Sequence, residues 1–134
     1  MSDAEKIALV EAQIAAWNRK DWEAAAAMFA EDAILHSVMV EPIHGRDAIH
    51  QRISGLGAGA SEINLQIKNI GVVNGKVFAE RVDGFVYQGK TGAVPVVGVL
   101  DIDDGKIKVW TEYYDRNQLL SEMGLTKDFD HETR

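Results

Sequence analysis

An α+β fold, with helices first and an antiparallel meander after them, is predicted by three features of this 134-residue chain. Apolar residues recur at helical spacing as far as Leu56. From about Glu62 the pattern changes to alternation with period two. Asn74-Gly75 and Asp104-Gly105 then supply short hairpin signals between alternating runs. Helices grouped ahead of strands argue against an alternating parallel sheet. A long, bent sheet wrapped around helices leaves a pocket between them.

The first helix is carried by Ile7, Val10, Ile14 and Trp17, with Ser2 or Asp3 as its cap. Asn18-Arg19-Lys20-Asp21 breaks it, and Asp21 caps a second, alanine-rich helix expected to run through Ala30. Trp22, Ala25, Ala26 and Phe29 form the inner stripe of that helix. A short strand, Ala33 to Val40, is expected next. Gly45 opens a third helix with the stripe Ile49, Ile53 and Leu56, and Gly55, Gly57 and Gly59 predict a flexible loop after it.

Ile63, Leu65 and Ile67 begin the alternating half. Val77 to Tyr87, Val94 to Asp103 and Lys106 to Tyr114 are the further strands, with Gln88 to Gly92 read as a turn. Pro95 has no N–H to give to a ladder, so it predicts a bulge or an edge there. A short helix, Arg116 to Met123, should stop at Gly124. Residues 1–126 are therefore expected to form a single domain, and 127–134 a polar tail.

Composition narrows the partners. With 46% hydrophobic and 26% charged residues the chain reads as an ordinary soluble globule, long enough for a core without metal or disulfide help. The absence of cysteine excludes disulfides, cysteine nucleophiles and thiolate metal sites, which suits a cytoplasmic location. A net charge of −7 argues against nucleic acid and anionic membrane, since both require concentrated basic charge. No apolar run approaches membrane-spanning length, and the start lacks the basic-then-apolar pattern of a signal peptide.

The chemistry is concentrated in Glu80-Arg81-Val82-Asp83 and in Trp110-Thr111-Glu112-Tyr113-Tyr114-Asp115. Side chains two apart on a strand share a face, so Arg81, Asp83 and Phe85 point one way, and so do Trp110, Glu112 and Tyr114. A guanidinium and acids among aromatics are expensive to bury unless they satisfy one another. If both strands face one cavity, Arg81 can hold Asp83 and Glu112 together, as a carboxylate pair suited to acid/base work. Taken alone, Arg-x-Asp on a strand is also the pattern of a structural salt bridge. Leu56, Phe85, Val94, Val96 and Tyr114 read as pocket walls for an apolar ligand, or simply as core.

The histidines carry less. His36 points away from the face of Leu35 and Ser37, His44 and His50 suit a loop and a helix surface, and His131 falls in the tail. None pairs with another at metal-ligand spacing beside an acid, so no metal site is expected. Gly55-Leu56-Gly57-Ala58-Gly59 follows a helix rather than a strand, which argues against a phosphate loop.

These motifs resemble the nuclear transport factor 2-like, or SnoaL-like, superfamily and, within it, the limonene-1,2-epoxide hydrolase family. Phe29-Ala30-Glu31-Asp32 and Gly45-Arg46-Asp47-Ala48-Ile49 carry the superfamily likeness, and the Arg81 and Trp110 motifs carry the narrower one. The resemblance implies a cone-shaped, antiparallel or mixed sheet around three N-terminal helices, with a deep apolar pocket. It also implies a catalytic triad of Arg81, Asp83 as proton donor and Glu112 as base, no cofactor, and a homodimer packed through the sheet. Thr111 and Tyr113, on the other strand face, suit that interface.

Two departures stand out. The family base is aspartate where this chain has Glu112, and the family's water-holding tyrosine and asparagine fall on Leu35 and Ser37. Leu35, Ser37, Leu56, Phe85, Val94, Val96, Trp110 and Tyr114 are the substrate-binding candidates. Cofactor-independent opening of a small apolar epoxide is the expectation. The departures keep open an isomerase, cyclase or dehydratase that moves protons with the same carboxylates, and a non-catalytic binder of small apolar molecules in which Arg81 is a structural tie.

Overall fold

The computed structural model describes residues 1–127, and the expectations for the tail beyond them, His131 included, lie outside that range. Within it the order is α1 (Asp3–Asn18), α2 (Trp22–Ala27), β1 (Phe29–Ser37), β2 (Ile43–His44), α3 (Arg46–Ala58), β3 (Ala60–Val73), β4 (Lys76–Tyr87), β5 (Lys90–Asp103), β6 (Lys106–Tyr113) and α4 (Arg116–Met123). The strands form one sheet in the order β2-β1-β6-β5-β4-β3. All neighbours are antiparallel except β1 and β6. The sheet is therefore mixed, curved around the N-terminal helices and not closed into a barrel.

Local chemistry explains the boundaries. Ser2 caps α1 in a reciprocal capping box with Glu5, and Asp21 caps α2 by accepting from the Ala24 N–H. The three hairpins turn at Asn74-Gly75, Gln88-Gly89 and Asp104-Gly105, each with positive φ at both residues, the geometry that matches strand twist. Gly124 ends α4 in the left-handed conformation, as a C-terminal glycine should. Val10, Ile14, Phe29, Ile49, Ile53, Leu65, Leu100 and Trp110 belong to the core between helices and sheet.

Three expectations are corrected. The second helix stops at Ala27 with Met28 as its cap, because the chain enters the sheet at Phe29: the Met28 carbonyl accepts from the Ile107 N–H, and the Phe29 ring stacks on Trp110. The first strand consequently begins at Phe29 and ends at Ser37, not at Val40. The glycine-rich stretch is not a loop, since α3 continues through Ala58. A Cβ at Gly57 would lie 2.2 Å from the Trp22 ring, so this glycine permits close helix packing, not flexibility. Pro95 sits in β5, a central strand of the sheet, paired in unbroken register with Val82 of β4. The β6 ladder begins only at Val97, so the other side of Pro95 is a local edge and its missing N–H costs nothing. There α4 approaches, with Glu122 accepting from the Ala93 N–H. No helix among the described residues is long and apolar enough to cross a membrane.

Candidate active site

Arg81 and Glu112 stand on β4 and β6, with β5 between them. Neighbouring strands are about 4.8 Å apart, so the two backbones are separated by roughly twice that distance. The guanidinium crosses β5 over Gly98, the register partner of Glu112. A Cβ at Gly98 would fall 2.6 Å from Glu112 Oε1, 2.7 Å from Arg81 Nη1 and 3.0 Å from Trp110 Nε1. The missing side chain is the space in which the three groups meet.

There four of the five Arg81 N–H donors are engaged. Nε and Nη2 donate to the two oxygens of Asp83 at 2.9 and 2.8 Å, and Nη1 and Nη2 donate to those of Glu112 at 3.0 and 2.5 Å. This double fork suits a planar guanidinium and would be lost with lysine. Arg81 is 1% exposed, and no buried side-chain nitrogen or oxygen among the described residues lacks a partner. Trp110 adds a third donor to Glu112, from Nε1 to Oε1 at 2.5 Å, and its ring lies 5.7 Å from the Arg81 guanidinium carbon. Phe29 and Trp17 hold that ring in place by stacked and edge-on contacts.

The electrostatics follow from this enclosure. Burial raises the Glu112 pKa above the ordinary 4.5; Arg81 pulls it down but does not cancel that rise, to which the nearby Asp83 charge adds. Burial alone would lower the Arg81 pKa, yet the two carboxylates more than reverse it and keep the guanidinium charged. Two ionised acids sharing one cation would leave one negative charge over, which favours a proton on one of them.

All eleven residues singled out in the sequence border one cavity of about 180 Å³: Arg81, Asp83 and Glu112, with Leu35, Ser37, Leu56, Phe85, Val94, Val96, Trp110 and Tyr114. Trp110 is only 2% exposed, and its N–H is already committed to Glu112. His36 is absent from the lining, and its Nε2 hydrogen-bonds the Val40 carbonyl at 3.0 Å, which leaves it no part in the cluster.

Sequence reasoning missed Trp17, the Ile63 side of β3, and above all α4, which brings Arg116, Leu119 and Met123 to the cavity. Helical spacing assigned Trp17 to core packing, and it does both. Arg116 Nη1 donates to the Tyr114 hydroxyl at 2.5 Å, and that hydroxyl donates to Ser37 Oγ at 2.9 Å. Burial raises the Tyr114 pKa, so the phenol stays protonated at neutral pH.

A curved sheet wrapped around N-terminal helices, with an acid–arginine–acid cluster in the lining of an apolar pocket, defines the α+β class to which the chain belongs. The chain belongs to the SnoaL-like domain family, whose model matches residues 10–110. It is 27% identical over 106 residues to the epoxide hydrolase EphG of Mycobacterium tuberculosis, covering 79% of this chain and 70% of that one. The structure of an LEH-like epoxide hydrolase from the same organism superposes with a TM-score of 0.80 at 24% identity, over 90% of both chains. A putative polyketide cyclase from Xanthomonas campestris pv. campestris gives a TM-score of 0.82 at 25% identity, over 90% of this chain and 98% of that one.

Proposed function

We propose that the protein is a cofactor-independent epoxide hydrolase acting on a small apolar epoxide. The observation that carries this reading is Arg81 held between Asp83 and Glu112 in one apolar cavity. Glu112, ionised, takes a proton from water as the water oxygen bonds to one epoxide carbon. The carbon–oxygen bond of the ring breaks, and its oxygen takes the proton of Asp83. The product is a diol. Afterwards the proton gained by Glu112 and the one lost by Asp83 are rebalanced across Arg81 and solvent, so the enzyme returns unchanged. A raised pKa makes ionised Glu112 a stronger base than an exposed carboxylate. Arg81 stabilises the singly charged pair throughout.

A second reading has a specific observation behind it. Leu35 is an apolar wall where the resemblance would place a water-holding hydroxyl, and a putative polyketide cyclase is among the structural neighbours. An isomerase or cyclase would move protons between the same carboxylates without adding water. Turnover of a small cyclic epoxide in heavy-oxygen water separates the two. The expected product is a diol carrying one solvent oxygen; a rearranged product without solvent oxygen would replace the hydrolase with the isomerase or cyclase. Tight binding with no product at all would make the protein a binder.

For assembly, we propose a homodimer through the outer face of the sheet in the cytoplasm. Phe78, Val97 and Tyr113 share that face and are 39%, 36% and 50% exposed, with Thr111 beside them. Sedimentation should give twice the chain mass, and Tyr113→Glu should reduce it to one.

A further inference from the structure

The charges that line the cavity fall into two sets at different depths. Arg81, Asp83 and Glu112 stand among buried neighbours, with Arg81, Trp110 and Val94 no more than 2% exposed. Arg52, Arg116 and Glu41 stand nearer solvent: the two arginines are half-buried and the glutamate is exposed. Three separate elements present this rim. Glu41 lies in the connection between β1 and β2, and Arg52 lies on α3 one turn before Leu56. Arg116 lies on α4 ahead of Leu119 and Met123, at the spacing of one helix face.

The two sets differ in sign as well as in depth. At the base two carboxylates surround one guanidinium, a group that is neutral with one acid protonated and singly negative with both ionised. At the rim two guanidiniums outweigh one carboxylate and leave one net positive charge. The whole chain carries −7, but exposed charges more than about 8–10 Å away are largely screened at physiological salt, so the rim acts by its own sign. An anion is therefore rejected at the base and attracted at the rim. One net positive charge matches a monoanionic carboxylate better than a phosphate dianion, and the planar guanidinium fork suits its two oxygens. Both arginines already have partners, the Tyr114 hydroxyl among those of Arg116, so a ligand carboxylate would share or exchange those contacts.

We propose that Arg52 and Arg116 form a carboxylate subsite at the mouth of the cavity, and that the ligand is an apolar ring or short chain bearing one carboxylate. Its apolar body lies along Ile63, Leu65, Val94 and Val96, and its anionic end stays at the rim. Glu112 and Tyr114 are two residues apart, about 6.6 Å at strand rise, and Arg116 reaches the Tyr114 hydroxyl. The carboxylate and the group that meets Glu112 are thus separated by roughly the width of a six-membered ring. On the hydrolase reading, from which this substrate class takes its reacting group, the ligand is an epoxide of a cyclic or short-chain carboxylic acid. Rejection at the base and attraction at the rim then allow a single direction of entry, epoxide first.

The test is calorimetric titration at neutral pH with cyclohexanecarboxylate and with its uncharged carboxamide, which fills the same space. The acid should bind about tenfold more tightly than the amide in the natural protein, the effect of one charge-assisted fork. Arg52→Gln and Arg116→Gln should each bring that ratio towards one, and Arg52→Lys should keep part of it. A merely structural role for either arginine would weaken both ligands together and leave the ratio as it was. Equal affinities in the natural protein, no measurable binding of the acid, or a ratio that survives both glutamine variants overturns the proposal. Turnover of an epoxycyclohexanecarboxylate and its carboxamide separates the subsite from the hydrolase reading, and kcat/KM should favour the acid by a similar factor. If the acid binds preferentially but neither compound gives a diol, the subsite stands and the hydrolase reading falls. If both are bound and hydrolysed alike, the hydrolase reading stands and the subsite falls.

Discussion

The cavity has two polar clusters, and they are built on opposite plans. At one, Arg81 with Asp83 and Glu112, full charges are buried and every guanidinium nitrogen is occupied. At the other, Arg116 with Tyr114 and Ser37, a single cation donates to the first of two neutral hydroxyls in hydrogen-bond contact. The first is a closed, rigid device whose strength lies in desolvated electrostatics. The second carries neutral hydroxyls in place of buried carboxylates. The two thus differ in kind: one is a charged pair around a cation, the other a neutral hydroxyl pair beside one.

The sharpest way to break this contrast is to remove proton exchange from the charged cluster while keeping its shape. Asp83→Asn and Glu112→Gln should each lower kcat by about 10²–10⁴-fold, with circular dichroism and melting temperature close to those of the natural protein. A loss of only a few-fold in either would move the chemistry to another group. Arg81→Met acts differently, because it leaves two carboxylates buried without their cation. The expected cost is about 3–5 kcal/mol of stability, read by urea denaturation, and it should shrink when Asp83→Asn is added.

Acidity offers a smaller and more selective effect. As the pH falls through the raised pKa of Glu112, the base is protonated, so kcat/KM should drop with an inflection above 4.5. Stability runs the opposite way. A carboxyl whose pKa is higher folded than unfolded adds stability that is complete below about 4.5 and is lost as pH rises through the folded value. The stability of the natural protein relative to Glu112→Gln should therefore decline across that window, which paired urea titrations at several pH values would measure. The smallest effect belongs to the neutral cluster: Tyr114→Phe should leave this pH dependence unchanged while lowering kcat.

The charged cluster was legible in the sequence because its logic is local. Arg81 and Asp83 are two apart on one strand, Trp110 and Glu112 two apart on another, and strand parity gives each pair one face, while the register of β4, β5 and β6 brings the two faces together. Parity also placed His36 away from the cavity, correctly. The neutral cluster was not legible, for Ser37 and Tyr114 are 77 positions apart and meet only through the parallel pairing of β1 with β6. No hairpin signal announces a parallel pair. The helix errors have the same source: Phe29 fits the apolar stripe of α2, but its place beneath Trp110 in the sheet overrides that local pattern. Gly57 reads as punctuation until Trp22 is seen lying against it.

Gly98 imposes a rule of substitution on the whole site. The void above it is filled by the longer arm of Glu112, so the tolerance of position 98 depends on what stands at position 112. Alanine at 98 collides with the carboxylate, the guanidinium and the indole together, whereas an aspartate at 112 would draw its oxygens back by about the length of one methylene. The two positions are consequently epistatic: Gly98→Ala is damaging beside glutamate and more tolerable beside aspartate. In a library randomised at both, glycine should be retained wherever glutamate is selected, and larger residues at 98 should survive only in clones that have exchanged glutamate for the shorter acid.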